Sequence, residues 1–274
     1  MTPPIYVTAA SAFWPGGRGV ESVLGTPVPG RSRKVADEDL ASALTLRGLR
    51  PLSRTARLAM VAAADVWPPG TSTTPADGVV FGSRWASSGP LADFVQVAAA
   101  HGADRVFPMA FPNTVVSVHA GYVASMLGLT GPVVSLCGEA AGLESVVEGL
   151  CLIAAQRADR VLSVGADAAE AAVALARPDA AEAAGAVRLS RTREENALAV
   201  IGGWWVAARA EDLPEQAGCA GFPDLLEGLG DCGAARGVLR FAAAADLVRR
   251  EGHPVVMSGR CGVRGVAAVR IDPA

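Results

Sequence analysis

Short hydrophobic runs of two kinds alternate along the chain. Runs rich in valine and leucine and bounded by glycine, proline or polar residues indicate strands, whereas apolar residues recurring every three or four positions indicate helices. The predicted strands span residues 5–10, 79–82, 131–136, 160–167, 198–207, 254–258 and 265–271. The predicted helices span residues 37–46, 52–64, 90–100, 111–127, 141 to beyond 147, and 233–249, and the alanine-rich segment between 167 and 198 is predicted to be helix and loop. This alternation predicts an α/β protein with a largely parallel sheet covered on both faces.

The sharpest local pattern is the stretch from Gly131 to Glu144, which we term the elbow. It predicts a buried strand, a tight turn of small residues and a helix that opens at the turn. Such a turn presents side chains at the positive end of a helix dipole, where many enzymes hold a nucleophile. Here the turn offers Glu139, whose simplest role is to accept N–H bonds at the helix start. Cys137 should be a buried structural thiol, because no histidine is evidently placed to activate it.

Composition and charge exclude several classes of function. The 274 residues carry a net charge of -3, which gives no electrostatic footprint for nucleic acid, and the small basic group of Arg31, Arg33 and Lys34 is typical of a solvated loop. Five cysteines without a C-x-x-C pair argue against a disulfide framework or a metal site. The sequence shows no targeting segment and no apolar window of membrane-spanning length, so we expect a cytoplasmic protein without a membrane partner.

The order and spacing of several short motifs resemble those of the β-ketoacyl synthases of the thiolase-like superfamily. These motifs are Leu52-Ser53-Arg54-Thr55-Ala56-Arg57-Leu58-Ala59, Phe111-Pro112-Asn113-Thr114, Gly128-Leu129-Thr130-Gly131-Pro132, Ala141-Gly142-Leu143, Val164-Gly165-Ala166-Asp167 and Gly233-Ala234-Ala235. Residues 258–265 resemble a degraded form of the family's glycine-rich loop. The resemblance implies a thiolase-like layered α-β-α fold in which residues 1–274 form a single ketosynthase-like domain, with an N-terminal half at 1–210 and a reduced C-terminal half at 211–274.

The elbow departs from the family at its catalytic position. A condensing ketosynthase carries the acyl chain on a cysteine thiolate there. Aligned on Gly142-Leu143, that position holds Glu139, and aligned on Gly131-Pro132 it holds Ala140. Neither side chain can form a thioester, so we expect no catalytic residue in a degenerate elbow.

Both catalytic histidines of the family are also missing. The first motif should fall between Trp205 and Phe222, where the chain is too short to contain its strand and loop. The second should directly precede the Gly-Ala-Ala helix, where the sequence reads Leu229-Gly230-Asp231-Cys232. Without these histidines, the chain lacks the side chains with which the family decarboxylates the extender unit and stabilises the developing negative charge.

Among ketosynthase relatives, a cysteine-less chain with this elbow resembles the chain length factor of type II polyketide synthases. The compressed C-terminal half is similar to factor-like subunits of highly reducing, polyene-making systems. The resemblance implies a non-catalytic subunit that forms a heterodimer with a cysteine-bearing ketosynthase and bounds its acyl tunnel. It implies no directly bound cofactor, because the acyl chain arrives on the phosphopantetheine of a transiently docked acyl carrier protein.

The same resemblance assigns two sets of residues. The tunnel candidates, on the predicted helix 111–127, are Val115, Val116, His119 and Val123; alternatively, the valines are ordinary core and His119 is a hydrogen-bonded interface residue. The interface candidates, on the strand before the elbow turn, are Val133, Val134, Ser135 and Leu136, which would pair with the other subunit. Two other functions stay open: a priming subunit that decarboxylates malonyl carrier protein, and a scaffold that only stabilises the ketosynthase.

Overall fold

The computed structural model describes residues 3–24, 33–44, 52–214, 231–261 and 265–274. The strands are β1 (Tyr6–Trp14), β2 (Gly17–Arg18), β3 (Asp77–Ser83), β4 (Val133–Cys137), β5 (Arg160–Asp167), β6 (Ala183–Ser190), β7 (Ala199–Ala207), β8 (Val255–Cys261) and β9 (Gly265–Asp272). The α-helices are α1 (Glu21–Leu24), α2 (Asp37–Ala43), α3 (Arg54–Val66), α4 (Ser88–His101), α5 (Val118–Leu127), α6 (Ala141–Ala154), α7 (Ala171–Ala176) and α8 (Ala235–Glu251), and short 3-10 helices span Ala103–Arg105, Pro108–Thr114 and Ala210–Asp212. Predictions that concern Arg31, residues 45–46 and residues 215–230 lie outside the described residues.

The strands form one sheet in the order β4-β3-β5-β6-β1-β7-β9-β8, with the two-residue β2 paired to β1. Two residue pairs between β1 and β7, Tyr6 with Val200 and Val7 with Ala199, join the strands β4-β3-β5-β6-β1 to the strands β7-β9-β8. Within the described residues only the pairs β3–β4 and β3–β5 are parallel. The prediction of a largely parallel sheet is therefore wrong, because β6, β1, β7, β9 and β8 all join antiparallel neighbours.

Strand β6 is the main element that the sequence prediction missed. It lies between β5 and β1, and seven of its eight residues are buried. Helix α3 covers one of its faces and α8 covers the other, so its first five residues, which are alanine, glycine and valine, show no alternation of polar and apolar positions. A Cβ added at Gly185 would lie 3.0 Å from the backbone nitrogen of Leu239, which explains why glycine stands at this position.

Two hydrophobic cores lie on opposite faces of the strands β4-β3-β5-β6-β1. One face packs against α3 and α5, and the other against α6 and α8. Beyond α6 and α8 lie the strands β7, β9 and β8, which contribute Met257, Val269 and Ile271 to the second core. The order of layers is therefore helix, sheet, helix, sheet.

The boundaries of α3 and of the elbow confirm the prediction. Helix α3 begins after Ser53, whose hydroxyl accepts the N–H of Ala56 at 3.2 Å. Other boundaries differ. The predicted helix 111–127 is divided: Pro108–Thr114 is a 3-10 helix, and α5 begins only at Val118. Of the segment 258–265 that resembles a degraded glycine-rich loop, residues 258–261 belong to β8 and pair with β9, and residues 262–264 lie outside the described part of the chain.

Candidate functional site

The elbow consists of β4, the turn from Gly138 to Ala140, and α6. Gly138 has a φ of +152°, which favours glycine, and its N–H donates to the Ser83 carbonyl at 3.0 Å. Glu139 is exposed, and its Oε2 lies 3.4 Å from Nη1 of Arg260 on β8. The Glu139 carboxylate therefore pairs with a cation from β8, in the other part of the sheet.

Helices α6 and α8 meet at the elbow with almost no side chain between them. A Cβ added at Gly142 would lie 1.7 Å from the carbonyl oxygen of Ala234, and one added at Gly237 would lie 2.4 Å from the backbone nitrogen of Leu143. This contact explains the glycine of the Ala141-Gly142-Leu143 motif, whereas Gly233 is required by its φ of +55° and by Asp167, whose Oδ2 would lie 2.3 Å from an added Cβ. The contact between α6 and α8 brings the N-terminal ends of both helices to one place.

Cys137 is exposed at the end of β4, so the expectation of a buried thiol is wrong. Its sulfur contacts the carbonyl oxygen of Arg84 at 3.7 Å. Partial burial and the neighbouring charge of Asp167 raise the pKa of the Cys137 thiol. A thiol with a raised pKa holds little thiolate at neutral pH, so this environment does not activate Cys137 as a nucleophile.

Asp231 stands two residues before Gly233, in the segment that leads into α8. Its Oδ2 accepts from Nη1 of Arg84 at 2.6 Å and from Nη2 of Arg177 at 2.7 Å. Its Oδ1 accepts the N–H of Gly233 at 3.0 Å, directly before α8. Asp231 is thus an anion that binds two arginines.

Asp167 lies beneath the site and connects the elements that surround it. It ends β5, is fully buried, and accepts from the Ser83 hydroxyl at 2.6 Å, the Trp85 N–H at 2.9 Å and the Ala234 N–H at 2.7 Å. The N–H of Arg84 also donates to this carboxyl at 3.0 Å. Burial raises the pKa of Asp167 to about 6, while these hydrogen bonds oppose the rise. Asp167 therefore fixes β3, β5 and α8 relative to each other.

A cavity of about 480 Å³ lies above this framework, between the elbow, α8 and β8. Its charged lining residues are Arg84, Arg177, Arg236, Arg240 and Arg260 together with Glu139, Asp179 and Asp231. Within the described part of the chain, no group of three or more His, Cys, Asp or Glu side chains could hold a metal ion. No sequence motif indicated a role for Arg84 or Arg177. The only sequence signal for Asp231 was its position two residues before the Gly233-Ala234-Ala235 motif.

The four tunnel candidates differ in exposure. Val123 and His119 are fully buried, Val116 is partly buried, and Val115 is 42% exposed. The His119 ring stacks on Phe81 with 5.4 Å between centroids, its Nδ1–H donates to the Val116 carbonyl at 3.2 Å, and its Nε2 lies 3.0 Å from the Ser53 hydroxyl. Burial lowers the pKa of His119. Both ring nitrogens thus have partners inside this chain.

The four interface candidates lie on β4, which is an end strand of the sheet and pairs only with β3 among the described strands. Val133 is 48% exposed, and Val134, Ser135 and Leu136 are half-buried. The apolar surface continues nearby, because α5 contacts β4 and the 3-10 helix Pro108–Thr114 contacts α5 and α4. Its exposed apolar side chains are Leu91, Val95, Phe107, Met109, Phe111 and Val115.

No protein-family model and no curated protein sequence matches this chain. Solved structures do resemble it over almost the whole length. The ishigamide ketosynthase/chain length factor matches with a TM-score of 0.83 and 19% identity, covering 98% of this chain and 99% of that one. AntDE:AntF, a type II PKS acyl-carrier protein in complex with its ketosynthase bound to the hexaketide, matches with a TM-score of 0.79 and 13% identity, covering 100% of both chains.

A β-ketoacyl synthase from Burkholderia phymatum STM815 also matches, with a TM-score of 0.77 and 13% identity, covering 99% of this chain and 100% of that one. In the described residues no helix has the length and apolar character needed to cross a bilayer. At these low identities the likeness concerns architecture. The chain therefore has the thiolase-like α/β fold that these ketosynthases and the ketosynthase/chain length factor share.

Proposed function

We propose that this protein is a non-catalytic, chain-length-factor-like subunit that forms a heterodimer with a cysteine-bearing ketosynthase. One observation carries the proposal: the turn between β4 and α6, where the resemblance to the ketosynthases leads us to expect a cysteine, holds Glu139 paired with Arg260. A carboxylate at the elbow would repel the anion that develops during decarboxylation. This geometry therefore supports binding and shaping more than chemistry.

The end strand β4 supports the choice of partner surface. No other strand in the described part of the chain pairs with its outer edge, and an open edge beside exposed apolar side chains is a surface that proteins normally cover. We propose that the partner ketosynthase pairs its own edge strand with β4 through Val133, Val134, Ser135 and Leu136. The adjacent apolar side chains of Phe107, Met109 and Phe111 would then pack against the partner.

The proposed mechanism of chain-length control is steric. Val115 is exposed and Val116 is partly buried before the start of α5, whereas His119 and Val123 on α5 are fully buried, and His119 Nδ1–H donates to the Val116 carbonyl. When an acyl chain reaches this floor it can bury no further methylenes, each of which otherwise contributes about 0.8 kcal/mol. The chain would arrive on the phosphopantetheine of an acyl carrier protein, and the short C-terminal half favours a highly reducing, polyene-type system.

Co-expression with a candidate cysteine-bearing ketosynthase tests the proposal. We expect the two chains to purify together and to make a product of defined length with their carrier protein. The proposal fails if they purify separately and the ketosynthase alone makes the full-length product. Release of CO2 from malonyl carrier protein by this chain alone would instead identify a priming decarboxylase.

A further inference from the structure

A second cavity of about 480 Å³ lies between α3 and α4, and among the described residues it shares no lining residue with the cavity at the elbow. Helix α3 packs on the sheet and on α5, whereas α4 packs on α7 and on the 3-10 helices Ala103–Arg105 and Pro108–Thr114. The small apolar residues of the cavity lining are Pro90, Ala110, Ala169, Ala171 and Ala172. The proposed role in chain-length control assigns no function to this cavity.

Arg57 on α3 supplies an unpaired positive charge to the cavity. Its Nε atom is buried without a hydrogen-bond partner, and no described carboxylate forms an ion pair with its guanidinium group. Arg54 and, more weakly, Arg57 lower the pKa of Asp37, but Asp37 forms its ion pair with Arg54. Because a buried N–H donor without an acceptor is unfavourable, a ligand oxygen that reached this Nε would be bound favourably.

Two carboxylates line the cavity on the side of α4. Asp93 lies on α4, and Glu170 directly precedes α7. A Cβ added at Gly89, one turn before Asp93, would lie 1.5 Å from Oε2 of Glu170, so this carboxylate lies against α4. Burial raises the pKa of Glu170, the backbone N–H of Arg54 opposes this rise, and the charge of Asp93 adds to it. The two carboxylates are therefore close enough to repel each other, and no described cation forms an ion pair with either.

The other two cations of the lining do not neutralise these carboxylates. Arg54 pairs with Glu182 at 2.7 Å and with Asp37. Lys34 has a partner of its own. The described lining thus has one unpaired cation on the α3 side and two carboxylates on the α4 side. A ligand that carries both signs can satisfy opposite charges that line one cavity without pairing with each other.

We propose that this cavity binds an α-amino acid as a zwitterion, with the ligand carboxylate on Arg57 and the ligand ammonium group on Asp93 and Glu170. A guanidinium group donates two parallel N–H bonds to a carboxylate, and an ammonium group donates three. A purely anionic ligand would be repelled by the two carboxylates, and a purely cationic one would leave Arg57 unpaired. The volume suits a small molecule, and Pro90 and the alanines of the lining favour an apolar side chain. The site is independent of the proposed role in chain-length control.

Calorimetric titration of the full-length protein with L-phenylalanine tests the site. We expect saturable binding. The matched probes are 3-phenylpropanoate, which lacks the ammonium group, and 2-phenylethylamine, which lacks the carboxylate. Each should bind at least about tenfold more weakly than phenylalanine, the effect of losing one charge-assisted interaction. The proposal is overturned if neither L-phenylalanine nor L-leucine binds, or if either analogue binds as tightly as phenylalanine.

Two variants assign the ligand groups to their partners. Arg57→Gln should raise the Kd for phenylalanine about tenfold and leave that for 2-phenylethylamine unchanged, because this amine has no carboxylate. Asp93→Asn should also raise the Kd for phenylalanine but should not weaken 3-phenylpropanoate. The matched controls are Arg105→Gln and Asp104→Asn, two exposed residues on a 3-10 helix outside the cavity lining.

Melting curves without ligand establish that each variant is folded. The proposal is overturned if the cavity variants bind phenylalanine like the controls. It is also overturned if Arg57→Gln lowers recovery of the complex with a ketosynthase while phenylalanine does not bind, because the cavity would then receive a side chain of the partner. Failure of the ketosynthase complex to form leaves the expected binding of phenylalanine unchanged.

Discussion

Arg84 and Asp231 form an ion pair of 2.6 Å that joins the residue after β3 to the residues before α8. The two positions are 147 residues apart in the sequence. Their side chains are only 22% and 16% exposed, so solvent screens the pair weakly. The pair thus positions the N-terminal end of α8 relative to β3.

Replacing Asp231 with alanine should destabilise the protein. Arg84 would keep its charge in a half-buried site without this partner, and we expect the free energy of unfolding in urea to fall by about 1–3 kcal/mol. Asp212→Ala removes a carboxylate that pairs with the exposed Arg209, and it should change stability by less than about 0.5 kcal/mol. Equal losses in the two variants would contradict the structural role of Asp231.

Asp167→Asn should lower the free energy of unfolding more than Asp231→Ala does, because the amide group of asparagine would point an N–H donor at backbone N–H groups. We expect a loss of about 2–4 kcal/mol in the urea-derived free energy of unfolding. Ser83→Ala removes one of the donors to the same carboxyl and should cost about 1 kcal/mol. A larger loss for Ser83→Ala than for Asp167→Asn would exclude Asp167 as the centre of this network.

The buried His119 should make the free energy of unfolding depend on pH. Burial lowers the pKa of His119, so the folded protein binds its proton more weakly than the unfolded chain does. The stabilisation from neutral His119 is fully present above the unfolded pKa of about 6.5 and is lost as pH falls toward the lower folded pKa. The slope contributed by this single group cannot exceed about 1.4 kcal/mol per pH unit.

Denaturation curves of His119→Gln and wild type across this pH range measure that contribution. The difference in unfolding free energy between them should shrink as pH falls below about 6.5. His101→Gln alters an exposed histidine at the end of α4 and should follow the wild-type pH profile. A pH-independent difference for His119→Gln would show that the histidine does not titrate in this way.

Val133→Lys tests the β4 edge. The side chain is 48% exposed, so we expect the isolated protein to keep its melting temperature. A lysine buried without a partner in an interface costs several kcal/mol, so recovery of the complex with the ketosynthase should fall at least about tenfold. Leu175→Lys, at an 87% exposed position on α7, is the control and should leave recovery unchanged.

Alanine substitutions at Val115 and Val123 distinguish a side chain that lines the tunnel from one that packs in the core. Val115→Ala should change stability by less than about 0.5 kcal/mol and shift the product of the complex to longer chains. Val123→Ala should cost about 2 kcal/mol, because Val123 is fully buried in the core beside α3. Mass spectrometry of the products gives the result. An unchanged product length in the Val115→Ala complex would favour a scaffold.

The predictions of the elbow and the helices were most accurate where the apolar patterns were long or were bounded by glycine and proline. Strand β5 was predicted with its observed bounds, because a run of valine and leucine follows a polar turn. Strand β6 was missed because burial on both faces removes alternation, and alanine alone does not distinguish strand from helix. The Arg84–Asp231 pair was beyond prediction, since local patterns carry no information on contacts between distant segments.

Helix α8 covers the inner face of β5, β6 and β1 and is also the layer on which β8 packs. Its residues, Ala235–Glu251, lie far along the sequence from β1, at Tyr6–Trp14, against which they pack. Contacts between such distant segments close long loops of chain, which costs conformational entropy before the contacts are made. We therefore expect the face of the sheet that α8 covers to be completed late in folding.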